Sequence, residues 1–122
     1  MLITPPDLMD QAVHFRLIMG QPVGSDNPSV LDLQKRLIAE EFDEFITATE
    51  EEPEVNQLKE LADLVYVCFQ YAAARGWELD EALDRVYKSN MSKLVDGKPL
   101  RREDGKVLKG PNYKPPYLED LL

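Results

Sequence analysis

One cysteine and one histidine in 122 residues leave little room for disulfide or soft-metal chemistry. Cys68 has no partner for an internal disulfide, a usage that fits a reducing cytoplasm. Zinc sites draw on several His and Cys ligands, so the isolated His14 and Cys68 read as ordinary helix and core residues. Long apolar runs are missing too. The longest stretch without a charge, residues 64–74, has 11 residues and is too short to cross a bilayer. Residues 1–7 carry no basic segment ahead of an apolar core, so no secretory signal is expected. Basic residues are outnumbered, 14 Lys and Arg against 23 Asp and Glu, for a formal net charge of −9. That balance argues against a general nucleic-acid binder, whose affinity comes from basic groups meeting phosphates. With 43% hydrophobic and 30% charged residues, the chain reads as one soluble globular domain over 1–122.

The charge is unevenly spread. Residues 93–114 hold seven basic side chains (Lys93, Lys98, Arg101, Arg102, Lys106, Lys109, Lys114) against Asp96, Glu103 and Asp104, a net of +4, while the rest carries −13. An acidic body with a basic tail has the makings of one site, with cations on the body and an anion on the tail. A solvated body with a loose tail would look the same at this level.

The body, about 5–93, reads as four helices and no strands. The first opens at Pro5-Pro6-Asp7, lines up Leu8, Ala12, Phe15 and Met19, and ends at Gly20. A turn-rich loop, Gln21-Pro22-Val23-Gly24-Ser25-Asp26-Asn27, precedes a second helix from near Pro28 to Glu51, with the stripe Val30, Leu33, Leu37, Glu40, Glu44. Pro53 breaks it. The third helix runs to Arg75 with the stripe Glu60, Leu64, Val67, Tyr71 and stops at Gly76. The fourth begins near Trp77 with the stripe Leu79, Leu83, Val86, Asn90, Lys93. From about 94 to 122 the chain is a basic, Pro-rich tail. Asp96-Gly97 and Asp104-Gly105 suggest a small hairpin, and the aromatics beyond it predict order against the body or a neighbouring subunit.

A lone helical glutamate ordinarily faces water. Here Glu40 and Glu44 continue an apolar stripe, Glu60 shares the stripe of the next helix with Asp63 three residues on, and Glu41 lies one step around. Joined by a short break, the two helices should pack antiparallel with these stripes facing. Converging carboxylates repel and resist desolvation at a cost of roughly several kcal/mol each. Arg36 and Lys59 lie off the stripes, so a bound divalent ion is the expected compensation. An oxygen-only ligand set favours Mg²⁺, with Mn²⁺ as substitute, and a di-iron site would need Glu-x-x-His motifs that are absent. Such ions complete their shells with water and substrate phosphates, and the basic segment is the matching half.

Glu40-Glu41-x-x-Glu44, followed after 15 residues by Glu60-x-x-Asp63, resembles the signature of the all-α nucleoside triphosphate pyrophosphohydrolases. That superfamily takes in MazG proteins, dimeric dUTPases, dCTPase-like enzymes and phosphoribosyl-ATP pyrophosphohydrolases. Asn90-Met91-Ser92-Lys93 and the run from Gly105-Lys106 to Pro115-Pro116 look like its phosphoribosyl-ATP pyrophosphohydrolase-like branch. The resemblance implies an all-α four-helix bundle, associating as a homodimer or dimer of dimers. It implies Mg²⁺-dependent cleavage of a nucleoside triphosphate to monophosphate and pyrophosphate. Carried over by position, Glu40, Glu44, Glu60 and Asp63 would be metal ligands, and Glu41 would orient or deprotonate the attacking water. Asn90, Lys93, Lys109, Tyr113 and Lys114 would contact the polyphosphate, with Phe15 and Gln21 near the base. The expected role is nucleotide-pool house-cleaning, with a pyrimidine deoxynucleotide such as dUTP or dCTP as substrate. The alternatives are phosphoribosyl-ATP hydrolysis in histidine biosynthesis and a non-catalytic metal–nucleotide binding module.

Overall fold

A computed structural model describes residues 7–122. Its helices are α1 (Leu8–Ile18), α2 (Pro28–Glu51), α3 (Glu54–Arg75) and α4 (Leu79–Met91). Beyond them lie the strands β1 (Leu100–Arg101) and β2 (Val107–Leu108) and a 3-10 turn (Glu119–Leu121). The protein is mostly helical, as expected. One compact unit runs to Glu78 and a second spans Leu79–Leu122. No helix among the described residues is long and apolar enough to cross a membrane.

In the first unit α2 and α3 form a long hairpin. Glu52 is extended at the break, and its carbonyl and carboxylate accept from Gln57 Nε2 (2.9 Å) and Asn56 Nδ2 (3.3 Å), so the turn satisfies itself where Pro53 offers no N–H. Asn27 caps α2 by accepting from Ser29 N at 3.0 Å, with Pro28 at the first helical position. The Asp7 carboxylate caps α1 from Asp10 N (3.0 Å). The Pro5-Pro6 part of that start signal lies outside the described residues.

Ala72, Ala73 and Ala74 are buried at the end of α3, and their small side chains let the loop after α1 close in: Gly24 N and Ser25 N donate to the carbonyls of Ala73 and Ala74. Gly76 ends α3 at φ +77, and a Cβ there would stand 3.1 Å from the Gly24 Cα, so the position needs glycine on both counts.

The packed stripe of α2 differs from the sequence expectation by one residue. Leu31, Gln34 and Ala48 are buried, with Ile38, Glu41 and Phe45 half-buried on the same face; of the expected stripe, Val30 and Leu37 are half-buried, whereas Leu33, Glu40 and Glu44 are exposed. Apolar residues stand on two adjoining faces of this helix (Val30 and Leu31, Leu37 and Ile38), so periodicity alone fits either register. In α1 the buried positions are Ala12 and Arg16, while Leu8 and Met19 are exposed. The α3 stripe of Glu60, Leu64, Val67 and Tyr71 is half-buried throughout, as expected.

In the second unit, Ser89 is the buried residue of α4, and the expected inward Leu83 and Asn90 are exposed. The tail returns along the Ser89 side of the helix and covers it. Ser89 Oγ donates to the Lys114 carbonyl (2.6 Å), Lys114 N donates to Ser92 Oγ (2.9 Å), and Arg85 holds the Tyr117 carbonyl and the Asp120 carboxylate. The hairpin expected from the Asp-Gly pairs is present. Leu100 pairs with Leu108 and Arg101 with Val107, while Asp96 and Gly97, both at positive φ, turn the chain between Val95 and Lys98.

Candidate metal and catalytic site

The i, i+3 spacing puts Glu41 and Glu44 on one side of α2, and Glu60 and Asp63 on one side of α3. Across the hairpin, one carboxylate oxygen each from Glu41, Glu60 and Asp63 lie within 4.8 Å of one another. Glu41 Oε2 and Glu60 Oε2 are buried without a hydrogen-bond partner. Two buried acceptors with nothing to accept from are costly unless a cation completes them, and an oxygen-only set of this kind suits a hard divalent ion. On that ground the residues fit the expected metal.

The site's electrostatics agree. Partial removal from water, and then the negative charges of Glu44, Asp63 and Glu60, push the Glu41 carboxyl above its ordinary range, with a proton shared toward Glu44 adding to the effect. Glu44 and Glu60 also border a shallow cavity of about 260 Å³ together with Asp43, Thr47 and Glu52.

Of the acids picked from sequence, the structure therefore brings Glu41, Glu60 and Asp63 together, with Glu44 beside Glu41. It does not bring Glu40 in. Glu40 is exposed and stands about 100° around α2 from Glu41, so the one-residue register difference exchanges the places expected for these two neighbours.

Lys59 is the residue the sequence reading passed over. Lying off the stripe, its flexible stem still bends round to the cluster, with Nζ 2.7 Å from Asp63 Oδ2 and 3.5 Å from Glu60 Oε1. The i, i+4 spacing to Asp63 was the available signal. Gln34 is 4% exposed, and its Oε1 is buried without a partner two turns before Glu41 on the same face of α2.

Phe15 meets Tyr66 edge-on at 5.6 Å, and Gln21 N donates to the Arg16 carbonyl, so both lie where α1 turns into its loop. The remaining candidates belong to the second unit. Asn90 is exposed in the last turn of α4, and Lys93 follows the helix, with its carbonyl against Gly110. Lys109 Nζ stands 4.8 Å over the Tyr113 ring, and the Lys114 backbone is bolted to Ser89 and Ser92. His14 is exposed, and burial pushes the Cys68 thiol up, as befits a quiet residue.

A sequence model of the phosphoribosyl-ATP pyrophosphohydrolase family matches residues 16–90, which include α2, α3 and all five acids of the two motifs. No curated protein gives a significant match to the chain.

Proposed function

The chain belongs to the phosphoribosyl-ATP pyrophosphohydrolase family, within the MazG-like nucleoside triphosphate pyrophosphohydrolases, and is an acid anhydride hydrolase acting on a nucleotide; from that premise we propose that its substrate is phosphoribosyl-ATP. Water attacks at the α phosphorus, the bond to the bridging oxygen breaks, and phosphoribosyl-AMP and pyrophosphate leave. The family match supports this substrate over the pyrimidine deoxynucleotide of the house-cleaning reading, and with it a role in histidine biosynthesis. The observation that carries the chemistry is the meeting of Glu41, Glu60 and Asp63 within 4.8 Å, with two of their oxygens buried and unpartnered.

Glu41, Glu60 and Asp63 would hold Mg²⁺, or Mn²⁺ in its place. A bound divalent ion supplies charge neutralisation of the phosphates and a more acidic water. Glu44, beside Glu41 and bordering the same cavity as Glu60, is the carboxylate left to orient that water or take its proton. Asn90, Lys93, Lys109, Tyr113 and Lys114 are proposed to bind the polyphosphate, a role their donors and positive charge suit. Phe15 and Gln21 are proposed for the base.

A homodimer is part of the same proposal. Leu8, Leu58, Leu61, Val65 and Tyr66 leave an exposed apolar face on α1 and α3, bordering a groove of about 360 Å³. Such a face is what an association surface requires. Phe69 lies beneath this face, buried in the core. Sedimentation at micromolar concentration checks this, and a strict monomer contradicts it.

The substrate is tested by pyrophosphate release from phosphoribosyl-ATP and a panel of ribo- and deoxynucleoside triphosphates, with Mg²⁺ and with EDTA. Metal-dependent release from phosphoribosyl-ATP above all others is expected. Preferential release from dUTP or dCTP would return the protein to nucleotide house-cleaning.

A further inference from the structure

The Lys59 ammonium covers the rim of the carboxylate cluster without filling it. It touches Asp63 through Oδ2 (2.7 Å) and Glu60 through Oε1 (3.5 Å). The buried oxygens, Glu41 Oε2 and Glu60 Oε2, stay without a partner. Compensation by the protein's own cation is thus partial, and it sits on the outer oxygens. The side chain itself is 65% exposed, whereas that of Glu60 is 15% exposed. Lys59 is therefore a surface lysine leaning over a recessed pair of acids, free to swing into water at little cost.

We infer that Lys59 is a tethered counter-cation at the entrance of the site, displaced when the divalent ion enters, and that it sets how tightly the protein takes its metal. The inference rests on the reading of Glu41, Glu60 and Asp63 as metal ligands. An ion drawing on Asp63 and Glu60 at roughly 2.1 Å would meet the ammonium hydrogen-bonded to the same two carboxylates, and two cations that close repel. In the metal-free protein Lys59 relieves part of the repulsion among the acids. On metal entry the ion pair breaks, and the released ammonium stands in solvent at the mouth. Because an exposed ion pair is a weak competitor, its removal should tighten metal binding by about two- to fivefold.

The test uses Mn²⁺ alone, without nucleotide, followed by the electron paramagnetic resonance of the free ion. K59Q is expected to bind Mn²⁺ about two- to fivefold more tightly than the wild type. K35Q removes the same charge from a lysine paired with Asp32 on α2 and should leave the affinity unchanged. In parallel, trace acetylation of the wild-type protein, read by mass spectrometry, should rise several-fold at Lys59 when Mg²⁺ saturates the site. Equal affinity in K59Q and wild type overturns the inference, as does an equal gain in K35Q. Unchanged Lys59 acetylation also overturns it, since the ammonium then stays on Asp63 with metal bound. In each of those cases wild-type binding that is lost in D63N leaves the metal reading standing. No Mn²⁺ binding by the wild type, or binding indifferent to D63N, overturns both.

Discussion

Arg16 and Gln70, 54 residues apart in sequence, meet in the buried seam between α1 and α3, where the guanidinium Nη1 lies 3.3 Å from the amide oxygen. Arg16 is 1% exposed, and its Nε donates to the Pro22 carbonyl at 2.6 Å. Gln70 completes the link by donating to the Ala12 carbonyl (3.4 Å). One arginine thus ties the first helix, the loop after it and the third helix together. Burial lowers its pKa, but an arginine stays charged regardless.

Removing this hub empties a large buried volume and strands the acceptors it served. R16A is expected to lower the unfolding free energy by about 2–4 kcal/mol. R16M, which keeps most of the volume, should cost less than half of that. Urea unfolding of the two variants checks the ranking, and an R16A loss below about 0.5 kcal/mol would contradict the role.

The acid cluster makes the metal-free protein sensitive to pH in an unusual direction. Glu41 has a raised pKa, so the folded state holds its proton more tightly than the unfolded chain. Its contribution therefore stabilises the protein as pH falls from neutral through that raised value, and levels off below the ordinary glutamate range. Asp104 and Asp120 act oppositely. Arg102 and Arg85 hold them below the usual aspartate range, so the stability they add is lost only in stronger acid. In EDTA, the melting temperature should rise from pH 7 to pH 5.5, and E41Q should flatten that rise. A fall over this interval in the wild type, or the same slope in E41Q, would contradict it.

Metal removes the same strain at neutral pH. Saturating Mg²⁺ should raise the melting temperature of the wild type at pH 7 and leave E41Q and D63N nearly unmoved, because an ion bound only by the folded state stabilises it by mass action. Equal shifts in all three would place the metal elsewhere.

The tail should loosen when its clasp is cut. Arg85 holds the Tyr117 carbonyl and both oxygens of Asp120. R85A is expected to speed limited chymotryptic cleavage after Tyr117 several-fold while leaving the helical circular dichroism unchanged. An unchanged cleavage rate would show that Pro115, Pro116 and Tyr117 pack without it.

The helices and their ends were legible because caps and breakers speak locally: Asn27-Pro28, Pro53 and Gly76 each mark a boundary that the structure keeps. The acidic motif was legible as well, since carboxylates at i, i+3 on consecutive helices share a face in any packing of the pair. Which face of α2 turns inward was not. Leu33 and Leu37 make as good a stripe as Leu31 and Ile38, and only the fit of Gln34 and Ala48 against a neighbouring helix selects between them. That one-residue choice decides between Glu40 and Glu41. Arg16 was hidden for a related reason, since an arginine on an apolar face reads as solvated until its partners, up to 54 residues away, are known. The tail's path along α4 rests on Ser89 and Ser92, whose hydroxyls give no periodic signal.

The most direct test of the account is therefore the pair E40Q and E41Q, compared for pyrophosphate release from phosphoribosyl-ATP at saturating Mg²⁺. E41Q should lose at least about 100-fold in turnover, and E40Q should stay within about fivefold of the wild type. An inactive E40Q beside an active E41Q would contradict a site formed by Glu41, Glu60 and Asp63.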